Sequence, residues 1–115
     1  MVLVRKVDIN ELQPTDIDLD PKISKYYATT FPLLREDVNM PEIWVINDQM
    51  YISDGHHQIA DRYQRRNKIH AICHTPKNCN ISSNAYAFVI AEILKKAQIA
   101  RRKGIRHIQD LQVKL

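Results

Sequence analysis

The stretch from Gln49 to Arg66, QMYISDGHHQIADRYQRR, restricts the fold more than any other part of the chain. A short β-prone run, Met50-Tyr51-Ile52, stops at Asp54-Gly55, and a helical pattern starts at once with His56-His57. One of the two glycines in the chain stands at that junction. Glycine there allows a sharp backbone turn, or a close approach by a ligand, with no Cβ in the way. A helix that starts at the end of a strand presents free N–H groups and the positive end of its dipole, which together suit an anion. The two imidazoles add hydrogen-bond donors and, when protonated, positive charge.

A length of 115 residues suits one domain with a single core. No run approaches the roughly 18 apolar residues that a membrane-spanning helix needs. The start, MVLVRKVDINEL, alternates like a strand and lacks the basic-then-apolar order of a secretory signal. Cys73 and Cys79 do not make a disulfide framework, so a reduced, cytoplasmic protein with no membrane association is expected. Charge is unevenly spread. Residues 1–54 carry 5 Lys/Arg against 10 Asp/Glu, a net −5, whereas residues 55–115 carry 12 against 3, a net +9. That asymmetry, with a pI near 9.2, fits a polyanion or a phosphate-bearing ligand. It also fits cations gathered at helix C-termini: Arg62, Arg65, Arg66 and Lys68, and again Arg101, Arg102 and Lys103.

Val2–Val7 reads as a first strand and Ile9–Leu12 as a short element, before Gln13-Pro14-Thr15-Asp16 breaks regular structure. Pro21 opens a helix through Ile23, Tyr26 and Tyr27, with an acidic approach that complements its dipole. Pro32 interrupts it, and Leu33–Asn39 has no clear pattern. Ile43-Trp44-Val45-Ile46 is a second strand, joined through a tight turn at Asn47-Asp48-Gln49 to Met50–Ser53 as a hairpin. A helix from His56 to Arg66 and a strand from Ile69 to His74 follow. After a loop from Thr75 to Asn80, Ser82, Ser83 or Asn84 caps a long amphipathic helix from Ala85 to Arg102. Its apolar stripe is Ala85, Phe88, Val89, Ile93 and Ala97, which packs on the core or, in a dimer, on a partner. Gly104 suits the C′ position, and a short helix is expected over Ile105–Val113.

Three of these segments resemble the ParB/sulfiredoxin superfamily. They are the first strand with Leu12-Gln13-Pro14-Thr15-Asp16, similar to an "L-x-P" entry; Pro41-Glu42-Ile43-Trp44-Val45-Ile46, similar to a "P-I-x-V" strand; and Tyr51 to His57 leading into a helix and the strand Ile69–Cys73. The resemblance covers residues 2–75, and its specific element is Asp54-Gly55-His56-His57. It implies an α+β fold, a mixed sheet with flanking helices: a ParB/sulfiredoxin-like core over 1–78 and a C-terminal helical appendage over 79–115 packed on it. In that superfamily the box holds phosphates. Partition proteins carry a Gly-Glu-Arg-Arg-like version and bind a nucleoside triphosphate, sulfiredoxins carry Gly-Cys-His-Arg and bind ATP, and free-serine kinases carry Asp-Gly-His-His-Arg. This chain is most similar to the last, but Gln58 stands where Arg is usual. Gln donates neutral hydrogen bonds where Arg grips phosphate with full charge, so Arg62 is a candidate substitute cation.

The resemblance therefore implies a nucleotide (ATP, ADP or CTP) with Mg²⁺, phosphate ligands Gly55, His56, His57, Gln58 and Arg62, and phosphotransfer or phosphohydrolysis if the chain is an enzyme. Asp16, with Asp18 nearby, is the candidate carboxylate for the acceptor, and Asp54 the candidate for metal or nucleotide; a turn or helix-cap role is the alternative for both. Sulfiredoxin chemistry is excluded, because it needs a thiolate where His56 stands. His70, Cys73, His74 and Cys79 do not have usual zinc spacing. A DNA-associated, partition-like or nuclease-like module is the rival class, with Lys95, Lys96, Arg101, Arg102, Lys103 and Arg106 as phosphate contacts. A non-catalytic interaction domain is the third, supported by Gln58.

Overall fold

The computed structural model describes residues 3–29, 40–64, 66–75 and 83–114. The expected break at Pro32, the segment Leu33–Asn39, Cys79 and the Ser82 cap lie outside them.

The β-branched and aromatic runs in mid-chain pair with each other. β3 (Glu42–Ile46) and β4 (Gln49–Asp54) are antiparallel, with Ile43 opposite Ile52 and Trp44 opposite Tyr51. Asn47 and Asp48 join them with φ of 50° and 66°, the positive pair that a two-residue type I′ turn requires. β5 (Lys68–His74) lies parallel to β3 on its other side and antiparallel to β1 (Val4–Asp8). β2 (Leu12–Gln13) runs parallel to β4, so the described strands form a mixed sheet in the order β1-β5-β3-β4-β2.

Alternation in these strands sends side chains to two faces. Val7, Leu12, Ile43, Ile52, Ile69, Ala71 and Cys73 join Ile59 of α2 (His56–Tyr63) in the larger core, and α1 (Pro21–Thr29) packs on α2. On the opposite face Trp44, Ile46 and Tyr51 meet Ile93 and Ala97 of α3 (Ser83–Arg102). Ala97 and Ala100 are fully buried, and their small side chains allow the helix to approach closely. Phe88 of the expected apolar stripe does not pack inward and is 69% exposed. Five residues from Ile93 is about 500° of helix, which sets Phe88 roughly 140° around from the buried line.

α3 ends as expected at Gly104, whose φ is +83°. The Ile105 N–H donates to Ala100 O (2.9 Å) and the Gly104 N–H to Arg101 O (3.0 Å), the paired bonds of a Schellman cap. The helix expected over Ile105–Val113 is corrected to a 3₁₀ turn over Ile108–Asp110 followed by extended chain. The Asp110 carboxylate bonds back to the Arg106 and His107 amides (both 3.0 Å) and competes locally with helix continuation. Ile105, Ile108 and Leu111 are buried in the larger core. The tail then bridges Leu19: its N–H donates to Gln112 O (2.9 Å), and Lys114 N–H donates to Leu19 O (2.8 Å).

Among the described residues, no helix is long and apolar enough to cross a membrane.

Candidate functional site

The strand-to-helix turn needs glycine for two reasons. Gly55 has φ +97°, a left-handed conformation that L side chains adopt at a cost. A Cβ on it would lie 2.8 Å from Pro41 Cβ and 3.1 Å from Pro41 Cα. Pro41, buried at the entry to β3, is held by Ile72 N–H donating to its carbonyl (2.9 Å). Sequence reasoning offered a sharp turn or a close ligand approach; the close neighbour is this proline.

Directly after it, the two imidazoles engage the segment between β2 and α1. His56 is 5% exposed, and its Nε2 accepts from the Thr15 backbone N–H (2.9 Å). The ring proton therefore sits on Nδ1, facing Asp16 Oδ2 at 3.3 Å. Burial pushes the His56 pKa down to about 4, against the opposing pull of Asp16 and reinforced by His57 and Lys96. The ring is neutral at pH 7. Thr15 Oγ1 lies 3.3 Å from His56 Nε2, which completes a Thr–His–Asp series. It is not a nucleophile arrangement, because that hydroxyl donates to Ile52 O (2.6 Å) and the Nε2 lone pair already takes the Thr15 amide.

His57 is half-buried, and its Nε2 accepts from the Asp20 N–H (2.8 Å). Asp20 in turn caps α1, its Oδ1 accepting from Lys22 N–H (2.8 Å) and Ile23 N–H (3.3 Å). Both imidazoles were expected as donors toward phosphate; in this conformation both Nε2 atoms are acceptors from the chain itself. Gln58 and Arg62, expected beside them, are 4% and 7% exposed. They are buried one turn apart on α2. Asp16 is brought to His56 yet stays 51% exposed, and Asp54 is exposed at the end of β4.

Beside this turn lies a cleft of about 240 Å³ between β4 and α3, lined by Thr15, Trp44, Ser53, Phe88, Glu92 and Lys96 with Val89 and Ile93. Trp44 stacks on His74 (5.0 Å between centroids), whose Nε2 lies 2.8 Å from Glu42 Oε1. Sequence reasoning missed the cleft. Its only early sign was an apolar stripe on α3 too wide for one buried line.

The six basic residues of the C-terminal part do not form one surface. Lys96 enters the cleft, while Lys95 projects about 100° away around the helix. Arg101 is used structurally: Nε donates to Gln13 Oε1 (3.0 Å), and the guanidinium sits 5.7 Å from the Tyr51 ring centroid. Arg106 lies with Arg101 and His107 along a separate open cavity of about 590 Å³ that also contains Glu11 and Asp48. Arg102 and Lys103 are exposed at the end of α3. A different basic groove, of about 360 Å³, is lined by Lys6, Arg66, Asn67, Lys68 and His70. Lys6 and His70 are direct cross-strand partners, a juxtaposition visible only once β1 and β5 are paired.

Cys73 is buried, which pushes its thiol pKa up although Arg5 pulls the other way. That is the environment of an inert thiol. Among the described residues, no group of three or more His, Cys, Asp or Glu side chains is placed to hold a metal ion.

Among the described residues, the geometry defines a small mixed α/β domain, with a five-stranded mixed sheet, helices on both faces and a longer C-terminal helix. No protein-family model matches the chain, and no curated protein does. Among solved structures it is similar to protein Atu1540 from Agrobacterium tumefaciens, with a TM-score of 0.60 and 12% identity over 96% of this chain. The chain spans 62% of that protein's length. At such identity the likeness is one of fold alone.

Proposed function

We propose that this chain is a ParB/sulfiredoxin-like domain that binds the phosphates of a nucleotide where β4 meets α2, with the base in the adjoining cleft. The observation that carries the reading is the composition of that cleft. It has a cation (Lys96) together with an anion (Glu92), hydroxyls (Thr15, Ser53), and an aromatic and aliphatic wall (Trp44, Phe88, Val89, Ile93). A volume of about 240 Å³ is smaller than that of sites that enclose a drug-sized ligand, roughly 300–1,000 Å³. It suits a base and leaves the phosphates outside the cleft, toward the β4–α2 junction. Asp16, exposed and oriented by the His56 Nδ1–H, is the carboxylate available to an acceptor hydroxyl or water in phosphotransfer or phosphohydrolysis. Mg²⁺ would arrive with the nucleotide, held by phosphate oxygens and at most one or two carboxylates such as Asp54.

Titration calorimetry with ATP, ADP, CTP and GTP, each with and without Mg²⁺, tests this reading. One nucleotide should bind saturably, and Lys96→Ala should weaken it about tenfold, the value of one charge-assisted contact. No binding at millimolar nucleotide, or unchanged affinity in Lys96→Ala, refutes it.

The groove of Lys6, Arg66, Lys68 and His70 favours a second reading, a DNA-associated module. Its binding should fall steeply with salt, and Lys6→Gln/Lys68→Gln should reduce the log–log slope by about 2.

A further inference from the structure

The residues between β2 and α1 lie across the first turn of α2, and the two ends of that segment are tied down in the same way. At one end the Thr15 N–H donates to His56 Nε2 (2.9 Å); at the other the Asp20 N–H donates to His57 Nε2 (2.8 Å). Consecutive helical residues point about 100° apart, which lets two adjacent rings reach amides five residues apart. Between these anchors Asp16, Ile17 and Asp18 are exposed, while Leu19 is buried and bridged to the C-terminal tail.

An imidazole accepts a hydrogen bond only while it is neutral; imidazolium carries N–H on both nitrogens. Both ties therefore require an uncharged ring. We propose that residues 15–20 form a strap latched over the first turn of α2 by two neutral imidazoles, and that protonation of His57 breaks its tie to the Asp20 amide while Leu19 stays bridged to the tail. A charged His57 would set N–H against N–H at a 2.8 Å contact, so the bond is lost and the Asp20 cap of α1 loosens with it.

The two arms differ in how readily they open. His56 is 5% exposed and faces Asp16, His57 and Lys96; burial keeps it neutral well below pH 6.5. Its arm holds Thr15 throughout the physiological range. His57 is half-buried at a cavity of about 320 Å³ between α1, α2 and the tail. Among the described residues, the charged groups facing that cavity are Asp61 of α2 and Lys25 of α1, with Asp20 at the bonded end and His56 adjacent on the helix. His57 is thus the arm that solvent protons reach. The latch itself does not depend on the nucleotide reading.

The test uses ligand-free full-length protein, so its outcome is separate from that of nucleotide binding. Amide exchange at Asp20, corrected for the intrinsic pH dependence, is followed by NMR from about pH 8 to 5, the window in which imidazoles titrate. Protection at Asp20 should fall about fivefold, the value of one hydrogen bond, in step with the His57 ring signals, while Thr15 stays protected. In His57→Gln, whose Oε1 accepts at every pH, Asp20 protection should be flat. A ¹⁵N measurement on the wild type serves if that variant does not fold: His57 Nε2 should be the unprotonated nitrogen at pH 8. Protonated Nε2 at pH 8, Asp20 protection that stays constant while His57 titrates, or an unaltered response in His57→Gln overturns the proposal.

Discussion

Gly55→Ala is the sharpest probe of the turn on which the candidate site is built. At φ +97° a Cβ costs about 1–2 kcal/mol through its clash with the local backbone. Here the new methyl also meets Pro41 at 2.8 Å (Cβ) and 3.1 Å (Cα), neither of which belongs to a flexible side chain. Overpacking of this kind adds about 1–3 kcal/mol. The sum, about 2–5 kcal/mol, is a large fraction of the 5–15 kcal/mol typical of a domain. Gly104→Ala is the internal control: its φ is +83°, but nothing lies within 4 Å of an added Cβ. It should cost only the backbone part. Urea unfolding of both variants, compared at equal m-value, measures the difference. Gly55→Ala should be the less stable by about 1–3 kcal/mol. Equal destabilisation of the two would refute the claim that Pro41, beyond local backbone strain, dictates glycine at the box.

The buried neutral His56 makes stability depend on pH. Its folded pKa of about 4 lies below the ordinary imidazole value of 6.5, so the unfolded state binds the proton first. Stability from this group is present above pH 6.5 and declines as pH falls to about 4, by about 3 kcal/mol in all. Urea midpoints measured at about pH 8, 6 and 4.5 should trace that decline in the wild type, and His56→Gln should lack this component. Arg101→Ala removes both the bond to Gln13 and the contact with the Tyr51 ring, and should cost about 1–2 kcal/mol in thermal unfolding. Lys95→Ala, exposed six residues earlier on the same helix, should change stability by less than about 0.5 kcal/mol; an equal effect from both would remove the structural role assigned to Arg101.

Much of the local structure is legible in the residues. The hairpin follows from two β-branched and aromatic runs around Asn47-Asp48, the start of α1 from Asp20-Pro21, and the end of α3 from Gly104, because each rests on short-range sterics and capping. The strand–Asp54–Gly55–helix turn was readable for the same reason. The fate of Ile105–Val113 was not, since spacing of three between Ile105, Ile108 and Leu111 serves a helix as well as a chain pinned to a core.

What tertiary structure alone decided is where the polar groups of the site point. A sequence shows two imidazoles at a helix start, an arrangement ready to donate to an anion. It does not show that residues 15–20 would be folded back to supply two backbone N–H groups in need of acceptors. Nor does it show Gln58 and Arg62 buried, Lys96 brought beside Thr15 and Ser53, or Lys6 set opposite His70. Hydrogen-bond direction and charge proximity depend on contacts between residues far apart in the chain, and local propensity carries no record of them.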